Sequence, residues 1–131
     1  MIRGAVVVIS LFFFGLLVFV GAAEHLFRQG MGKGDVRLIR QAQRFNPFSS
    51  RYAYQEYRLT GDIDALRRAI TLEPTRPAYH MYYGLAQFKM PGRTRRTDQE
   101  GLNAICLAAR LKPNSRQYQQ TCEQFRKALQ Q

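Results

Sequence analysis

The chain has 131 residues, with 20 Lys and Arg against 9 Asp and Glu and a formal net charge of +11. That length allows one small domain with an appended anchor and excludes a large multidomain enzyme. Two Cys and ten Gly exclude a disulfide-dense miniprotein and a collagen-like chain, and 46% hydrophobic residues at a mean hydropathy of −0.33 require the apolar content to be unevenly placed.

It is concentrated at the start. Ala5 to Ala23 reads AVVVISLFFFGLLVFVGAA and carries no charge. As a helix rising about 1.5 Å per residue this run spans roughly 28 Å, close to the hydrocarbon thickness of a bilayer. The rival reading is a cleaved signal peptide, with Arg3 as a short basic flank and Gly21-Ala22-Ala23 as a small-residue cleavage site. The run exceeds the usual signal core of about 7–15 residues, which favours a retained anchor. Residues 1–29 are therefore expected to form the anchor and a helical extension, 30–34 (Gly30, Gly32, Gly34) a Gly-rich hinge, and 35–131 a separate domain. Arg28, Lys33, Arg37, Arg40 and Arg44 follow the anchor and by the positive-inside rule would hold that domain in the cytoplasm.

Past the anchor the chain repeats itself. Gly34-Asp35-Val36 recurs as Gly61-Asp62-Ile63, and in that register Ile39, Ala42, Phe45, Pro47 and Tyr52 meet Leu66, Ala69, Leu72, Pro74 and Tyr79. A third copy supplies Ile105, Ala108, Leu111, Pro113 and Tyr118. Internal repetition at this period marks a stacked repeat architecture. Spacings of i, i+3 and i+6 place each apolar set on one helical face, and each helix stops before its proline. Ser49 or Ser50, Thr75, and Asn114 or Ser115 are capping-type residues for the helices that follow, and Thr97-Asp98-Gln99-Glu100 has a capping-box pattern for another. No segment alternates like a strand, so the class is all-α. The segment from Ser115 to Leu129 carries one narrow apolar stripe (Tyr118, Cys122, Phe125, Leu129), as the closing helix of a repeat stack requires.

Cys106 lies seven residues before Pro113 and Cys122 nine after it. In an antiparallel hairpin the two are roughly level, so a disulfide forms if both side chains face inward; the alternative is a pair of reduced core thiols. A bridge implies an oxidising compartment. It therefore opposes the cytoplasmic placement, and the extracytoplasmic (periplasmic) side is the placement expected here, the cytoplasmic face its alternative.

Pro77-Ala78-Tyr79-His80-Met81-Tyr82-Tyr83-Gly84-Leu85-Ala86, followed by Gly101, Ile105 and Ala108 before Pro113, resembles the tetratricopeptide repeat family. Gly84 takes the small position where paired helices touch, and His80 the site usually held by Trp. The preceding unit, with a period of 27 residues, is short for the family, and Tyr57 stands where a small residue belongs. The resemblance implies an antiparallel helical-hairpin solenoid whose first helices line a concave face for a protein partner. By position that face holds Arg51, Tyr54, Gln55 and Arg58, then Ala78, Met81, Tyr82 and Leu85.

No phosphate loop, metal-ligand spacing or nucleophile elbow is present, so catalytic residues, metals and cofactors are expected to be absent. Arg93, Arg95 and Arg96 form a basic cluster that suits anionic polymer or lipid headgroups, though no nucleic-acid motif accompanies it. The expected function is a membrane-anchored scaffold or adaptor that binds a protein partner, an accessory or assembly subunit of a cell-envelope complex. A basic membrane-surface protein that binds anionic polymer or headgroups is the alternative.

Overall fold

The computed structural model describes the backbone of residues 2–130 and the side chains of residues 7–130. The side chain of Arg3, read above as a basic flank, lies outside the described residues. Seven helices follow one another: α1 (Ile2–Lys33), α2 (Val36–Phe45), α3 (Ser50–Thr60), α4 (Ile63–Leu72), α5 (Pro77–Lys89), α6 (Arg95–Leu111) and α7 (Arg116–Ala128). No strand occurs among the described residues. They gather into two compact units, Met1–Gly61 and Asp62–Gln131. This grouping differs from the expected boundaries because the end of α1 contributes to the first unit's core.

In the first unit α1 is a single helix, exposed on all sides from Val7 to Phe14 and, Gly15 apart, on to Val20. It is long and apolar enough to cross a membrane. The helix does not hinge at Gly30 or Gly32, which corrects the expectation for 30–34. Gly30 is buried where α2 returns, and a Cβ there would lie 2.9 Å from Ile39 Cγ1 and 3.1 Å from the Asp35 carbonyl. The turn is made at Gly34 alone, at φ 64°. The Asp35 N–H donates to the Gly30 carbonyl at 2.9 Å and the Gly34 N–H to that of Met31 at 3.4 Å, the paired bonds of a Schellman motif. Asp35 then caps α2, its carboxylate accepting from the Arg37 N–H at 2.9 Å.

Ala23 and Phe27 of α1, Ile39 and Ala42 of α2 and Tyr52 of α3 form this unit's core. Phe27 stacks on Tyr52 with ring centroids 4.5 Å apart, and Phe19 meets Phe45 at 5.8 Å. Glu24, the first charge after the apolar run, pairs with Arg28 and Arg51 and accepts from the Tyr52 hydroxyl at 3.2 Å. Burial, followed by the charge of Glu24, pushes the Tyr52 phenol above its ordinary pKa. Glu56 is buried and accepts from Arg40 at 2.6 Å and Gln43 at 3.0 Å.

In the second unit α5 and α6 cross at two glycines. A Cβ on Gly84 would stand 2.5 Å from Ile105 Cγ1 and 2.6 Å from the Gly101 carbonyl; one on Gly101 would stand 3.1 Å from the Gly84 carbonyl. Met81, Ile105, Ala108, Ala109 and Cys122 form the core beneath, with Leu85, Phe88, Tyr118 and Phe125 packed on it.

The repeat is written in the backbone. Asn46, Glu73 and Lys112 each precede a proline and each leave the helix at φ −139°, −142° and −131° with ψ 84°, 75° and 73°. A following proline keeps its neighbour out of the helical region, so the same exit recurs. Each of these residues still donates its N–H to the repeated alanine, Ala42, Ala69 or Ala108, at 2.9, 3.0 and 3.1 Å. The apolar positions repeat too: Ile39, Leu66 and Ile105 are fully buried, as are the three alanines, whereas Phe45, Leu72 and Leu111 are 36–39% exposed.

Two helix starts differ from expectation. Arg76, not Thr75, sits at the cap of α5, because Pro77 is suited to the first helical position, where its missing N–H costs nothing. α6 opens at Arg95, earlier than the Thr97–Glu100 pattern indicated. Thr94 accepts from the Thr97 N–H at 3.2 Å and donates its own N–H to the Thr97 hydroxyl at 2.9 Å, so Thr97 closes the box instead of opening it.

Candidate functional site

The residues assigned to a partner-binding face fall in both units. On α3, Arg51 and Arg58 are exposed, and Tyr54 is half-buried with its ring 6.4 Å from that of Tyr57. Arg51 is held in place by Glu24 and lies over the Phe27 ring at 4.7 Å. On α5, Tyr82 is exposed and Ala78 and Leu85 are half-buried. Gln55 and Met81 are buried, so neither presents its side chain to a ligand. Met81 faces inward because it lies on the same side of α5 as Gly84, Leu85 and Phe88, the side that α6 covers.

The basic cluster is largely neutralised. Arg93 Nε lies 3.2 Å from Asp98 Oδ1 and its Nη1 donates to the Phe88 carbonyl at 3.3 Å; Arg96 pairs with Glu100 at 3.1 Å. Arg95 and Arg96 occupy the first turn of α6. Cys106 and Cys122 are bonded to each other, their Cα atoms 5.0 Å apart, and Arg126 Nη2 stands 3.7 Å from the Cys122 sulfur. No group of three metal-ligating side chains occurs among the described residues.

A feature that the sequence reading missed lies in the second unit. A cleft of about 630 Å³ opens where α5 forms the floor between α4 and α6. Ile70 of α4 and Ala104 and Leu107 of α6 give it apolar walls; Arg67, Arg110, Asn103 and Tyr83 give it polar edges. No carboxylate lines it. Arg67 donates to Asp64 at 2.9 Å and reaches the Tyr83 hydroxyl at 3.5 Å; Tyr83, followed by Asp64, raises its affinity for its proton above the ordinary value. His80 closes the floor. Its Nε2 is 2.6 Å from the Pro74 carbonyl, which can only accept, so that nitrogen carries the proton and the ring is fixed by the turn before α5. The signal for this cleft was present in outline, since Arg67, Ile70 and Thr71, and Asn103, Leu107 and Arg110, each share a helical face.

No family model and no curated protein matches the chain by sequence. Solved structures do match by shape. The first TPR domain of Spaghetti (RPAP3), bound to the HSP90 peptide SRMEEVD, aligns over 88% of this chain and 94% of its own at TM-score 0.62 and 14% identity. The Yersinia enterocolitica type III secretion chaperone SycD, in complex with a peptide of the translocator YopD, aligns over 88% of this chain and 90% of its own at TM-score 0.55 and 11% identity. A second structure of SycD gives TM-score 0.55 over 88% of this chain and 81% of its own at 11% identity. The fold is TPR-like. In TPR terms α5 and α6 are the paired helices of one unit, and the Gly84–Gly101 crossing is their close contact.

Proposed function

We propose that this TPR-like protein is a membrane-anchored, non-enzymatic scaffold that holds a peptide segment of a protein partner, as an accessory or assembly subunit of a cell-envelope complex. The carrying observation is the α4–α5–α6 cleft: its apolar walls, with Arg110 and the Asp64-paired Arg67 at its edges, suit a segment with an apolar side chain and an acidic group. That two of the solved neighbours hold peptides supports the reading. Arg51, Tyr54 and Arg58 on α3, and Ala78, Tyr82 and Leu85 on α5, are proposed as further partner contacts, since Tyr and Arg dominate binding energies. The rival assignment to anionic polymer or headgroups through Arg93, Arg95 and Arg96 is less favoured, because two of those three arginines face carboxylates, whereas the cleft adds apolar walls to its arginines.

The anchor reading rests on α1. It runs unbroken through Gly21-Ala22-Ala23, and cleavage there would cut a helix whose Ala23 and Phe27 are core residues. The Cys106–Cys122 bond supports an extracytoplasmic placement. The test is affinity capture of the full chain in mild detergent beside a Leu107→Glu, Arg110→Glu variant. A partner held by the wild type through moderate salt and lost by the variant is the expected result. Identical captured proteins for both would refute the cleft as the binding site.

A further inference from the structure

The packing of α2 on α1 fixes how much of α1 stands free. α2 runs back along α1: Leu38 and Ile39 lie against Gly30, and Phe45 meets Phe19 at 5.8 Å. The charge-free run that clears this contact, from Gly4 to Val18, rises only about 22 Å, short of the roughly 30 Å of a bilayer core. To span, the helix must also immerse Phe19 to Ala23, the stretch beside the end of α2. Whatever lies level with Phe19 then enters the membrane with it.

Phe45 is level with Phe19, and the turn that follows continues past it. Phe48, in that turn, is 83% exposed, the highest value among the exposed large hydrophobic residues described. Arg44 is exposed beside Phe45 at the last turn of α2. Leaving a phenylalanine in water wastes its burial energy, while an arginine at that level can extend toward headgroup phosphates. We propose that the α2–α3 turn is a membrane-inserting element: Phe45 and Phe48 seat in the outer part of the hydrocarbon beside α1, and Arg44 extends back to the headgroup phosphates. The proposal rests on the anchor reading above and adds a second point of contact, which would fix the first unit against the membrane surface.

The chain contains no Trp, so a single introduced Trp reports on its own site. Phe12→Trp, near the middle of the charge-free run, and Phe48→Trp would each be made in the full chain and reconstituted in vesicles of zwitterionic and anionic phospholipid. Brominated lipids, with bromine high or deep in the acyl chains, then quench by depth. Phe12→Trp should be quenched by deep bromines; Phe48→Trp should emit at blue-shifted wavelengths, be quenched by shallow bromines and be shielded from aqueous iodide. If Phe12→Trp is quenched while Phe48→Trp is not, the inference is overturned and the anchor stands: iodide access then means the turn is in water, and shielding from iodide means that protein covers it. If Phe12→Trp is untouched by any brominated lipid, the anchor reading fails and the inference falls with it.

Discussion

Gly84 shows how one missing methyl group sets the distance between two helices. The atoms that a Cβ would meet include a backbone carbonyl, which cannot rotate away as a side-chain end can. Gly84→Ala should therefore part α5 from α6 and destabilise the second unit by roughly 1–3 kcal/mol, despite the better helix propensity of alanine. Gly32→Ala is the internal control: Gly32 is helical with nothing within 4 Å of its Cβ position, so the same change there should be neutral or slightly stabilising. Thermal unfolding of the full chain in detergent reads both, and equal midpoints for wild type and Gly84→Ala would contradict the close crossing. Asp35 offers a pH test at the same scale. The Arg37 N–H, its largest influence, holds the carboxyl below its ordinary pKa, so the folded state favours the ionised cap. A depressed folded pKa gives stability that is present above the unfolded value of about 3.9 and lost as pH falls through the folded one. Acid unfolding of the first unit should thus be less steep below about pH 4 in Asp35→Asn, whose amide oxygen still caps without titrating.

At the scale of elements, what could be read from sequence was what proline and periodicity enforce locally. Pro47, Pro74 and Pro113 end their helices whatever surrounds them, and the Ile39, Leu66 and Ile105 sets share a face by spacing alone. What could not be read depends on neighbours. Gly30 looks like a flexible link until Ile39 lies against it, and Met81 looks like a ligand contact until α6 covers that side of α5. The cleft has no local signature in the sequence, because its walls come from α4 and α6 and no local pattern says how far apart they stand. The start of α6 is ambiguous in sequence because Thr94 and Thr97 both offer caps, and only the fold selects Thr94. The α6–α7 hairpin carries its own prediction. The Cys106–Cys122 bond closes a loop at a sequence separation of 16, worth about 3 kcal/mol in the chain-entropy model. Replacing both cysteines with alanine should lower the second unit's stability by about that amount, and reductant should do the same to the wild type while leaving the double variant unchanged.

For the whole molecule the remaining question is which parts of the chain meet lipid, water and oxidant. The apolar surface of α1 from Val7 to Val20 is exposed, and its continuation into Ala23 and Phe27 ties the proposed anchor to the folded core. An anchor that shares a helix with the core cannot be removed without opening that core. Intact mass of the membrane-extracted protein should therefore include residues 1–23, and carbonate washing should leave it in the membrane fraction. A mature chain beginning at Glu24 would rule out the anchor and leave Phe27 and Tyr52 to pack without Ala23. Thiol chemistry tests the proposed side of the membrane. With the second unit outside the cytoplasm, an alkylating reagent added during lysis should label neither Cys106 nor Cys122 until reductant is supplied, because the two sulfurs are joined. Arg28, Lys33, Arg37, Arg40 and Arg44 pull the other way by the positive-inside rule. Glu24 pairs Arg28, Asp35 pairs Arg37 and Glu56 pairs Arg40, so part of that basic flank is offset by carboxylates in the folded unit. If both thiols label at once in native membranes, the flank governs and the repeat helices face the cytoplasm.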